Sequence, residues 1–97
     1  MNARERIEYH QDRADAADAS EEGARYMAEK LLNSARVAFR ENNYSEYAAL
    51  KARSDEQNAA ADKYARSSCA HRVLERAARI ALAEENFAAT MERYSNA

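Results

Sequence analysis

Proline is absent from this chain, and glycine occurs once, at Gly23. Tight turns draw heavily on those two residues. A many-stranded β fold needs several such turns and is therefore excluded. The β-branched residues that favour strands are also few: Ile7, Val37, Val73, Ile80 and Thr90. A single cysteine, Cys69, rules out an internal disulfide and fits a reducing compartment. No apolar run approaches the ~20 residues of a membrane span, so no membrane association is expected. The opening residues, Met-Asn-Ala-Arg-Glu-Arg, are charged and do not read as a secretory signal. A cytoplasmic location, in a cell or inside a host cell, is the expectation.

What the chain has in quantity is alanine, at 24 of 97 positions. Alanine, Glu, Arg, Leu and Lys lose little on entering a helix, so the expected class is all-α. The length suits one domain, residues 1–97. Half of the 46% apolar content is alanine, and a buried methyl group is worth only about 0.8 kcal/mol. The core must be thin, or the helices must approach closely across alanine. A thin core in a short chain points to further burial in an oligomer or complex, most simply a two-fold homodimer.

Helix 1 is expected from about residue 3 to 41 on helical periodicity. Ile7, His10, Ala14, Ala17, Glu21, Ala24, Ala28, Leu31, Ala35 and Ala38 keep an unbroken 3-4 spacing and share one face. Met27, Leu32 and Phe39 should widen that face. A break near Asp18 to Ser20 is an alternative, since Ser20 precedes two acids and Gly23 weakens the helix. The segment Glu41-Asn42-Asn43-Tyr44-Ser45-Glu46 reads as the turn, with Asn43 capping the next helix and Glu46 completing a box. It resembles the Asn-Tyr corner between paired helices of tetratricopeptide-like repeats over about a dozen residues, but the other spaced positions of that repeat do not recur.

Helix 2 is expected over about 44–66, with Tyr47, Leu50, Ser54, Gln57, Ala61, Tyr64 and Ser68 as its seam. A second apolar stripe then starts one step out of phase: Ala70, Val73, Ala77, Ile80, Glu84, Phe87, Met91 and Tyr94. A new helix capped by Ser67 or Ser68 would run over about 68–95 and make a three-helix bundle. A stutter in one continuous helix would instead make a long hairpin, with arms of about 39 and 50 residues.

Charge is unevenly spread. Residues 1–22 carry a net −4 and residues 63–79 a net +4. Glu8, Asp12, Asp15 and Glu22 line one side of helix 1, while Lys63, Arg66, Arg72, Arg76 and Arg79 make a basic stripe. The two could be complementary within one fold or across a dimer, or could dock a charged partner and set its orientation. A nucleic-acid role for the basic stripe is the weaker reading, because Glu75 interrupts it and the chain is acidic overall. Tyrosines suit interfaces. Tyr9 and Tyr26 are expected to be exposed, with Tyr44 and Tyr47 beside the turn.

Chemistry has little to build on. His10 and His71 each lack a second His or Cys at i+3 or i+4, and zinc needs three or four convergent ligands. Cys69 reads as a small packing residue. No Glu-x-x-His motif occurs, and one glycine cannot form a phosphate loop. No catalytic residue, metal or cofactor is assigned. The expected function is a non-enzymatic helical interaction module: a small adaptor, regulator or inhibitor presenting helix faces to a protein partner. One alternative is a phage- or mobile-element-type inhibitor that blocks a host complex. The other is the nucleic-acid binder.

Overall fold

The computed structural model describes residues 1–96. They form two antiparallel helices, α1 (Ala3–Arg40) and α2 (Tyr44–Ser95), with no strand among the described residues. The molecule is a hairpin 83 Å long and 18 by 13 Å across.

Both expected turn devices are present. Asn42 adopts left-handed backbone geometry (φ 61°), which asparagine tolerates better than most residues. Its N–H donates to the Phe39 carbonyl, and the Asn43 N–H donates to the Ala38 carbonyl. That pair of bonds ends α1 in a Schellman motif, with Asn where glycine is usual. The Asn43 Oδ1 then accepts from the Glu46 N–H at 3.2 Å, while its Nδ2 donates to the Glu46 carboxylate at 2.8 Å. At the other end of α1, Asn2 caps the helix by accepting from the Glu5 N–H.

The core is the alanine seam. Every seam position of α1 from Ile7 to Ala38 is buried or half-buried. Among the described residues the buried apolar side chains are nine alanines and Ile7. Met27 and Phe39 do not widen this core, for they remain about half exposed; side chains beside a seam that narrow are pushed outward by the close partner helix. The Ser54 hydroxyl shows how close that partner is, donating from α2 to the Ala28 carbonyl of α1 at 2.8 Å. Along the middle of α2, contact runs through Ser54, Gln57, Ala60 and Ala61, and Ala59 faces outward.

Among the described residues there is no separate third helix, and the long hairpin is the arrangement found. α2 is continuous through Arg66, Ser67 and Ser68, because neither proline nor glycine interrupts it there. The packed seam also does not shift phase. It continues through Ser68, His71, Glu75, Ala78 and Leu82, all buried or half-buried. The stripe from Ala70 to Tyr94 is thus a second, outward-facing row. α1 is likewise unbroken at Ser20. A Cβ built on Gly23 meets nothing within 4 Å.

The arms are unequal: α1 has 38 residues and α2 has 52. At 1.5 Å per residue α2 extends about 20 Å beyond its partner. Residues 83–95 are all exposed.

Two substitutions test this packing by denaturant unfolding. Gly23→Ala should raise stability by about 1 kcal/mol, since the site is helical and open. Ala28→Leu should cost about 1–3 kcal/mol, because the seam has no room for it. A neutral Ala28→Leu would contradict close helix contact.

Candidate interaction surface

The acidic side of α1 and the basic stripe of α2 meet at one point. Arg72 reaches across the hairpin to Asp18 at 2.6 Å and to Asp15 at 3.3 Å. The Ser68 hydroxyl and the Arg72 guanidinium hold the Asp18 carboxyl below its ordinary 3.8. The two carboxylates in turn raise the Arg72 guanidinium. A second cross-hairpin contact joins Arg25 to Asp62 at 3.2 Å, with Glu21 on the same guanidinium. These pairs are well exposed, so solvent screens them and they contribute more to alignment than to strength. A shallow groove of about 400 Å³ lies beside the Arg72 contact, walled by Glu21, Cys69, Val73 and Arg76.

The remaining charged candidates behave differently. Arg79 pairs with Glu75 on its own helix. Lys63, Arg66 and Arg76 have no ion pair among the described residues, and neither do Glu8, Asp12 and Glu22. The sequence reading therefore placed Arg72 and Asp15 in contacting groups but missed Asp18. Tyr9 and Tyr26 are exposed as expected, with Arg13 over the Tyr9 ring and Lys30 over the Tyr26 ring. Tyr44 and Tyr47 both pack edge-on against Phe39 beside the turn.

One further expectation needs correction. Cys69 is exposed and free, since it falls next to Ser68 and off the packed face. The hairpin also makes a contact that the spacing along the chain did not suggest, bringing the Nδ1 atoms of His10 and His71 to 2.9 Å. One imidazole must donate and the other accept. Tyr9 packs edge-on against both rings. Folding the two seams back about the turn would have found this pair. Among the described residues no three His, Cys, Asp or Glu side chains converge as metal ligands, and no helix is long and apolar enough to cross a membrane.

The feature that stands apart is the outer row of α2. Val73 is 63% exposed, Ile80 54%, Phe87 68%, Met91 50% and Tyr94 76%. These are among the largest apolar groups in the chain, in one line about 150° round the helix from the packed seam. No protein-family model, curated protein or solved structure matches this chain.

Asp18 gives a pH test. Its folded-state pKa is depressed, so its contribution is present above the ordinary 3.8 and is lost as pH falls through the lower folded value. Unfolding measured between pH 5 and 2 should show a steeper acid limb for the native chain than for Asp18→Asn. Equal slopes would mean that the Arg72 contact contributes no stability.

Proposed function

We propose that this hairpin is a non-enzymatic protein-interaction rod, a small adaptor, regulator or inhibitor that works by presenting helix faces to protein surfaces. One observation carries the reading: a straight apolar row on α2 that lies exposed and runs onto a segment with no α1 beside it. Contiguous exposed apolar surface on a small chain marks an interaction site. Uncharged tips on large rings, as in Tyr94, suit such a face. Two-fold self-association belongs to the same proposal, as does work in the cytoplasm. Blocking a host protein complex, as a phage-type inhibitor would, remains one form that the activity could take.

Nucleic-acid binding through the basic stripe is the weaker proposal. Arg72 and Arg79 are already engaged with carboxylates, which leaves Lys63, Arg66 and Arg76 as the unengaged cations. Such binding would weaken steeply with salt.

The test is affinity capture with the full chain from nuclease-treated lysate, run beside Val73→Glu and Met91→Glu. Both residues are exposed, so the fold should persist by circular dichroism. Specific partners should be retained by the native chain and lost from both variants. Partners retained equally by all three would reject the apolar row as the binding face. Recovery abolished by nuclease or moderate salt would favour the basic stripe.

A further inference from the structure

The outer row of α2 is graded in side-chain size along its length. Heptad spacing makes Ala70, Ala77, Glu84 and Met91 equivalent positions, with Val73, Ile80, Phe87 and Tyr94 as the alternate set. The first half of the row holds the small members and the second half the large ones. In a parallel, in-register pair, Ala70 would face Ala70 and Ala77 would face Ala77, leaving gaps, while Phe87 and Tyr94 would crowd their own copies. Antiparallel pairing centred at residue 82 does the reverse. It sets Ala70 against the partner's Tyr94 and Ala77 against the partner's Phe87. Val73 then meets the partner's Met91, and Ile80 meets the partner's Glu84. Small against large is how packed layers interdigitate.

Charge favours the same direction. Residues 66–79 carry a net +3 and residues 84–93 a net −2. Antiparallel pairing lays the basic half of one copy along the acidic half of the other, whereas parallel pairing sets like on like. It also brings Arg76, which has no ion pair in the hairpin, within about one helical turn of the partner's Glu84, the only charged member of the row. Ala81, Ala83 and Ala88 flank the row and let two helices approach closely.

Area agrees. The hairpin exposes 7221 Å². A compact chain of 11.0 kDa exposes about 5,600 Å² by size scaling. The excess of about 1,600 Å² per copy is twice the roughly 800 Å² that each partner buries in a standard stable interface.

The geometry points to a two-fold homodimer in which residues 70–94 of two copies pair antiparallel, each overhang covering the outer face of the other hairpin. This rests on the apolar row being a binding face, and it names a second copy as the occupant. α2 and its copy form the centre of the assembly, and the α1 helices lie outside.

Sedimentation equilibrium of the full chain, across micromolar concentrations, should give twice the 11.0 kDa mass. Ile80→Glu and Phe87→Glu should each weaken the dimer at least about 30-fold, the loss typical of a central anchor, while helicity is retained. Cross-linking then reads the direction. In a Cys69→Ser background, Ala83→Cys lies beside its own copy near the two-fold axis and should oxidise to a covalent dimer. Ala77→Cys lies about 15 Å from its copy and should not. A monomer throughout, a dimer untouched by both glutamates, or cross-linking at Ala77→Cys in preference to Ala83→Cys overturns the assignment. A monomer whose glutamate variants still lose captured partners would sink self-pairing alone and leave the interaction reading standing.

Discussion

Two helices lie close enough here for a serine hydroxyl on one to reach a backbone carbonyl of the other, and the contact between Ser54 and Ala28 sets the terms for everything else. The fully buried facing positions are accordingly alanine and serine, with Ile7 as the one larger side chain among the described residues. Most side chains with larger apolar area therefore lie on the flanks or on the far side. The exposed row on α2 is a direct result of the tight seam. A wider-spaced hairpin could have folded those groups inward and left a bland surface.

An alanine seam has a weakness, since sliding it by one heptad brings alanine onto alanine again. Polar contacts and the turn remove that ambiguity. The Asn42-Asn43 corner sets the starting point. Arg25 to Asp62, Arg72 to Asp15 and Asp18, and His10 to His71 then match at successive levels along the rod. A heptad slip would break them together. Weak as exposed pairs are, several acting on one register discriminate against its neighbours.

Much of this was legible in the residues. The 3-4 pattern from Ile7 to Ala38 marked the packed face of α1 position by position, and the tandem asparagines marked the turn. The second half of α2 was harder, because it carries two stripes at once. The apolar one, through Val73, Ile80 and Phe87, is the louder signal on any hydropathy reading, yet the helix packs through the quieter one, Ser68, His71, Glu75 and Ala78. Phase decides that outcome, since Ser68, His71, Glu75 and Ala78 continue in helical step with Ser54 and Ala61, which already face α1. Likewise Asp18 sits between two seam positions. Nothing local distinguishes it from its acidic neighbours until the partner helix brings Arg72 alongside.

A core made of methyl groups also shapes the thermal behaviour of the hairpin. Heat capacity rises on unfolding in proportion to the apolar surface newly wetted, ordinarily about 12–15 cal/mol/K per residue. Here the groups with the most such surface are already wet in the folded hairpin, so the increment for the lone molecule falls below that range. Its stability curve is correspondingly flat, and cooling removes little. Covering the outer row would restore a normal increment and sharpen the curve.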